Sequence, residues 1–393
     1  MLRTHSGKLV TNYLGDVCER PRSTRVEPSR RETDIFCAVR RRRYLRGYSA
    51  LITSLREQNK GTLLAYSVEV DENQGGRADQ WKRNVEEMIA SVEFAGDFED
   101  TRKGSRKTWV AIKLSALVPS ADSLKRMSKF LLKSRPADDV PFPGTPGSFD
   151  MVVFRGAKEP LIKAGLTEED IESLRVLYED LRTVCNRAKE RGIREFNKPS
   201  SSGRFNEQPL VYATYQAYLK RTPLHLARSI EDAQAFGYTL GVKLVRGAYY
   251  DKETAEYPES QSPNCPVWAE KSQTDALSGS QNAILTGAGW LGKPTRTSSP
   301  QTDIGILFGT HNALSCTYIL ENLVDAGLAH RSGDKEVVIA DGRGTIVLWT
   351  TLWWGMRDDL TDWMVHTVKA NSPMVLKYVP YGALADASDA VLG

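Results

Sequence analysis

From Gly61 onward, short apolar runs alternate with longer segments whose apolar residues recur at spacings of three and four, and this rhythm limits what the chain can fold into more than any other feature. The strand-like runs are "GTLLAYSVEV" from Gly61, "WVAIKLSAL" from Trp109, "LVYATYQAY" from Leu210, "GVKLVRGAY" from Gly241, "GILFGTHN" from Gly305, "VVIADGRGTIVLW" from Val337 and "MVLKYVPYG" from Met374. Helical spacing fills Gln80 to Phe94, Glu168 to Gly192, Pro223 to Phe236 and Ser315 to Ala329. Strands separated by helices pair in parallel, so the fold class is α/β.

Seven strand candidates over about 330 residues fit an eight-stranded (β/α)8 TIM-type barrel better than two Rossmann halves, because no G-x-G-x-x-G follows any run. One strand is then missing, and the rhythm says where. The helix ending "NRAKERGI" at Ile193 leads into polar "REFNKPSSSGRFNEQP" before Leu210, where a strand is due. The expectation is an incomplete barrel that lacks one strand between Ile193 and Leu210. Residues 278–303 read as a long surface loop, and Trp349, Trp353 and Trp354 crowd one short stretch.

Composition removes several classes. No run of about 18 apolar residues offers a membrane span. The five cysteines are scattered, with no Cys-x-x-Cys pair, and no two histidines stand at i, i+4, so no metal is assigned. The net charge of +4 conceals a basic front: residues 1–60 hold fourteen Lys or Arg against six Asp or Glu. The Arg block in "RRRRYLRGYSA", residues 40–50, suits a solvated disordered arm, a mitochondrial presequence or a nucleic-acid contact. No aromatic platform follows it, so no nucleic-acid partner is expected. The chain divides into a basic arm, 1–60, and the barrel, 61–393.

In a β/α barrel the ligand sits at the C-terminal ends of the strands. Those ends supply Lys113, Gln216, Lys243, Arg246, Thr310, His311, Asn312 and Tyr378. Alternation sets Lys243 and Val245 on one strand face and Leu244 and Arg246 on the other. An inward Lys243 is costly unless an anion or several acceptors meet it. Such a lysine suits the electron-rich edge of a flavin, or a structural ion pair with a barrel carboxylate. His311 is open in the same way, between a structural residue and a cofactor contact.

The ordered motifs "TYQAYLKRTP", "KLVRGAYYDKE", "PVWAEKSQTDA", "GTHNALS", "GMRDDLTDWM" and "LKYVPYGAL" resemble the proline dehydrogenase family, in its fungal mitochondrial form, over about residues 61–384. The resemblance implies a barrel that binds FAD without a dinucleotide fingerprint. It implies oxidation of L-proline to Δ1-pyrroline-5-carboxylate, with electrons passed to a membrane quinone at the matrix side of the mitochondrial inner membrane. It places Lys243 near flavin N5, Gln216 on the isoalloxazine edge, and Thr310, His311 and Asn312 on the ribityl, pyrophosphate or adenosine part. Arg246, Gly247, Ala248 and Tyr250 lie along the cofactor, with Arg246 also open to a structural pair. Tyr249 and Tyr378 wall the imino-acid pocket, and Lys113 forms its floor. A hydroxylated proline would enter the same pocket.

Two departures from the family stand out. Its strand bearing an Asp-Ala-Glu type motif belongs where the rhythm lacks a strand, which leaves Lys113 without its aspartate partner. No arginine follows Arg357, so the arginine pair that clamps the substrate carboxylate is expected to be absent. These departures suit a relative without turnover, such as a splice form or a faulty gene model, as an alternative to an active enzyme.

Overall fold

A computed structural model of the chain describes residues 47–66, 80–101, 108–135, 148–192, 209–245, 304–310, 312–333, 336–339, 345–353, 358–369 and 375–381. The order is α1 (Ser49–Glu57), β1 (Gly61–Tyr66), α2 (Gln80–Asp100), β2 (Thr108–Ala111), α3 (Ala121–Ser134), α4 (Val152–Arg155), α5 (Lys158–Lys163) and α6 (Glu168–Gly192). It continues with β3 (Ala213–Gln216), α7 (Thr222–Phe236), β4 (Leu240–Val245), β5 (Ile304–Gly309) and α8 (Ala313–Asp325). The last elements are β6 (Ala329–Ser332), β7 (Glu336–Ile339), β8 (Thr345–Trp353), α9 (Asp358–Thr367), β9 (Val368–Lys369) and β10 (Val375–Tyr381).

Seven strands form one sheet in the order β2-β1-β10-β8-β5-β4-β3, and every pair in it is parallel. The first and last strands in sequence are thus neighbours in the middle of the sheet. Leu63 of β1, Leu307 of β5 and Leu376 of β10 pack in one buried cluster, with Trp109, Ala111 and Tyr212 against it. Residues on strands that are not neighbours can meet only if the sheet curls. The curl carries the two edges toward each other: the rings of Trp109 on β2 and Tyr212, just before β3, meet edge-on with centroids 4.7 Å apart. Among the described residues no strand stands between β2 and β3.

Helices cover the other face. Val242, Leu244, Ile306 and Phe308 pack with Leu226 and Ile230 of α7 and Ile319 and Leu323 of α8. Leu64 and Val379 receive Ile52 and Leu55 of α1 and Phe94 and Phe98 of α2. A third cluster joins α2, α3 and α6 through Met88, Met127 and Leu174. Helix α1, inside the stretch that the charge pattern assigns to the basic arm, is thus part of the packed core.

Helix α6 has the bounds that its periodicity predicts, for a physical reason. Thr167 and Asp170 exchange hydrogen bonds across the first turn, Asp170 N to Thr167 Oγ1 at 3.1 Å and Thr167 N to Asp170 Oδ2 at 2.9 Å. This reciprocal cap satisfies amides that the helix leaves open. Asp170 also takes two bonds from Arg126 of α3, each 2.6 Å. Burial opposes ionisation of Asp170, yet the bonds from Arg126 and Thr167 together hold its carboxyl well below the usual range. At the far end Arg187 and Arg191 reach Glu93 of α2 at 3.0 and 3.2 Å.

The run from Val337 to Trp349 is two strands rather than one. β7 joins a small separate sheet with β6 and β9, whereas β8 lies in the main sheet. A thirteen-residue run is too long for an ordinary strand, and "ADGRG" in its middle has turn composition. The tryptophan-rich strand β8 also slips against β10: Leu376 faces Trp349 while Tyr378 faces Trp353.

Candidate functional site

Strand register builds the site. Thr214, Lys243 and Leu307 lie side by side across β3, β4 and β5, and one step further Gln216, Val245 and Gly309 do the same, with Trp349 of β8 beside Gly309. Since Val242 and Leu244 face the helices and Leu307 belongs to the central cluster, the row containing Lys243 occupies the inner face. The alternation predicted from sequence thus describes β4.

The closed end of the curl is filled from below. Pro209 and Val211 approach the backbone so tightly that a Cβ on Gly241 would stand 2.1 Å from the Val211 carbonyl oxygen. A Cβ on Gly305 would stand 2.4 Å from the Tyr212 hydroxyl. Only glycine admits the incoming segment at these two positions. In a sheet of this kind a ligand sits at the other end, where the strands reach their C-termini.

There Lys243 is partly exposed, and desolvation of its ammonium by the surrounding protein pulls its pKa down to about 8. It is not isolated, since it takes part in a further polar interaction. Gln216 ends β3 with 5% of its surface exposed, and its amide Oε1 is buried without a hydrogen-bond partner. Such an atom costs stability unless a ligand donor meets it. Its main-chain oxygen is held, accepting from Thr222 Oγ1 and from Leu219 N at 3.2 Å. Ala217 N donates to Val245 O at 2.8 Å, continuing the β3–β4 ladder one step beyond the strands.

Thr310 is buried at the end of β5, and its Oγ1 accepts from Asn312 N at 3.1 Å. Asn312 Oδ1 accepts from Ser315 N at 3.0 Å and caps α8. Both residues therefore carry a structural duty in addition to the ligand contact foreseen for them, and both stand at the start of a thirteen-residue helix whose amides face the ligand end. Lys113 leaves β2 in extended conformation, is half-buried and takes part in an interaction of its own. Tyr378 sits beside Leu63 in the register of β10 and β1. Arg246, Gly247, Ala248, Tyr249, Tyr250 and His311 lie outside the described residues.

Thr214 and Thr222 belong to the site without having been expected. Thr214 had a signal, standing two residues before Gln216 on the same face. Thr222 had only its place before Pro223 at a helix start, which marks a helix terminus rather than a contact. Among the described residues no group of three His, Cys, Asp or Glu could hold a metal ion, and no helix is long and apolar enough to cross a membrane.

A family model described as proline dehydrogenase matches residues 49–389. Mitochondrial proline dehydrogenase 2 of Arabidopsis thaliana is 26% identical over 342 residues, covering 81% of this chain and 64% of that protein. Mitochondrial proline dehydrogenase 1 of the same plant is 23% identical over 326 residues, covering 77% of this chain and 58% of that protein. The chain thus spans less than two thirds of either relative. Human hydroxyproline dehydrogenase is 42% identical over 81 residues, which is 20% of this chain and 16% of that protein. Among solved structures, proline utilization A from Bdellovibrio bacteriovorus, inactivated by N-propargylglycine, superposes with a TM-score of 0.51 at 15% identity, covering 87% of this chain and 30% of that one. At that identity the likeness concerns the fold alone.

Proposed function

Because the chain belongs to the proline dehydrogenase family across residues 49–389, we propose that it oxidises L-proline to Δ1-pyrroline-5-carboxylate with FAD as cofactor and a membrane quinone as acceptor. The observation that carries this reading is the buried, unpartnered Gln216 Oε1 on the inner face, one register step beyond Lys243. An amide acceptor and a desolvated cation on one wall match the mixed edge of a flavin ring, which offers N–H donors and gathers negative charge on reduction. When bound, FAD supplies the two-electron acceptor for a hydride from the carbon beside the substrate nitrogen.

The chain's own residues supply placement. Gln216 Oε1 accepts from a ring N–H, and Lys243 holds a positive charge beside the ring, since at neutral pH most of it is protonated even with a pKa near 8. Leu63, Leu307 and Leu376 exclude water from beneath. The N-terminal end of α8, with Thr310, His311 and Asn312, would favour the cofactor's phosphates. By the resemblance of their motif to the family, Arg246, Gly247, Ala248 and Tyr250 would contact the cofactor. Tyr249, Tyr378 and Lys113 enclose the imino acid, holding its ring for attack.

The fold in this reading is a (β/α)8 barrel lacking one strand, with its seam between β2 and β3, and the catalytic unit begins near Ser49. The mitochondrial names of the plant relatives and the basic front support a mitochondrial site of action, and a quinone acceptor in this reading puts it at the matrix side of the inner membrane. The 42% identity to human hydroxyproline dehydrogenase over 81 residues favours a second substrate, ring-hydroxylated proline.

Purified protein titrated with FAD should develop a bound-flavin spectrum that L-proline bleaches and a quinone analogue restores, and Gln216→Leu should weaken FAD binding at least tenfold. Protein that binds no FAD overturns the reading. Protein that binds FAD but is bleached by neither L-proline nor hydroxyproline is the relative without turnover.

A further inference from the structure

The turn between β3 and α7 is unusually well buried for a connection at a ligand site. Ala217, Tyr218 and Leu219 are at most 1% exposed, and Arg221 and Thr222 are 5% and 2% exposed. Loops normally run over the surface because their backbone groups need partners. Here the partners are internal. Ala217 N bonds Val245 O, Leu219 N bonds Gln216 O and Thr222 N bonds Leu219 O. A further bond comes from a side chain: the Thr222 hydroxyl, on the first turn of α7, reaches back six residues to the Gln216 carbonyl.

That carbonyl belongs to the residue whose amide oxygen is buried and without a partner. β3 is only four residues long and lies at the edge of the sheet, with β4 as its one ladder partner among the described residues. Among the described residues no strand pairs with its other edge, and the peptide plane that follows Gln216 is anchored to the sheet at one end, by the Ala217 N bond to Val245 O. Its carbonyl end, and with it the setting of the Gln216 side chain, depends on the two bonds the oxygen accepts, from Thr222 Oγ1 and Leu219 N.

We propose that Thr222 is a positioning residue: its buried hydroxyl locks the Gln216 peptide so that the unpartnered amide oxygen faces the ligand space. The proposal rests on the flavin-binding reading above. Thr222 touches no ligand in this account; it acts through Gln216. A threonine serves because its hydroxyl donates while its methyl fills the buried turn, so Thr222→Val removes the donor at constant shape and Thr222→Ser keeps the donor.

The test is FAD titration of full-length protein followed by flavin fluorescence, on wild type, Thr222→Val, Thr222→Ser, Gln216→Leu and the Thr222→Val/Gln216→Leu double variant, with the urea midpoint of each apoprotein measured alongside. Thr222→Val should weaken FAD binding five- to twentyfold, and Thr222→Ser should stay within twofold of wild type. In the Gln216→Leu background, Thr222→Val should cost nothing further, because the group it orients is gone. A merely structural threonine would lower the urea midpoint while leaving FAD affinity unchanged, or would weaken affinity equally in both backgrounds, and either result overturns the proposal. Wild-type protein that fails to bind FAD overturns the flavin reading and this inference together, whereas wild-type binding with an unaffected Thr222→Val overturns this inference alone.

Discussion

Lys243 concentrates an electrostatic cost that the flavin-free protein bears. Its pKa falls from 10.5 to about 8 because burial disfavours the ammonium. Below about pH 8 both folded and unfolded chains carry the proton, and the folded chain bears the whole desolvation cost. Between about 8 and 10.5 the folded chain releases the proton first, so stability rises with pH through that window and levels off above it. Lys243→Met should therefore stabilise the apoprotein at pH 7 by about 1 to 3 kcal/mol, lose this rise, and bind FAD more weakly, as urea melts at pH 7 and pH 10 and a flavin titration will read. The face of Lys243 was legible in "GVKLVRGAY" because alternation with Val242 and Leu244 leaves one choice once helices cover the other side. The Thr222 contact was not legible, since it depends on how a five-residue turn closes.

At the level of elements, α6 was readable at both ends, through the Thr167 and Asp170 cap and the terminal Gly192. α1 was hidden, because its apolar residues Ile52 and Leu55 follow an arginine block that dominates the reading of that stretch. The break between β7 and β8 had a signal in "ADGRG", but the apolar stretches on either side read together as one strand. Within α6, Asp180 is partly buried, and desolvation with some repulsion from Glu179 pushes its pKa up to about 6. The penalty is absent below about pH 4, where the group is neutral in both states, and develops as pH rises through 6. Asp180→Asn should match wild type in stability near pH 4 and exceed it by about 1 to 2 kcal/mol at pH 7, in paired denaturant melts. Gly241→Ala should do harm, since its Cβ meets the Val211 carbonyl oxygen at 2.1 Å. The expected loss is upwards of about 2 kcal/mol, seen as a lowered thermal midpoint.

For the whole molecule, the βα rhythm conveyed the parallel order, while the pairing of β1 with β10 and the meeting of the two edges emerge only from how far the sheet curls. Trp109 and Tyr212 join the edges through side chains alone among the described residues, which is a weaker link than a ladder. Trp109→Ala should cost about 3 kcal/mol or more and Trp109→Phe less than half of that, in thermal melts of apoprotein. The central place of β10 has a consequence for synthesis. Gly61 pairs with Leu376, so β1 waits for a strand synthesised about 315 residues later before that ladder can form. Until then β1 and β2 are a detached pair with an open, apolar edge, and a nascent chain stalled short of Val375 should bind holdase chaperones that the finished chain escapes.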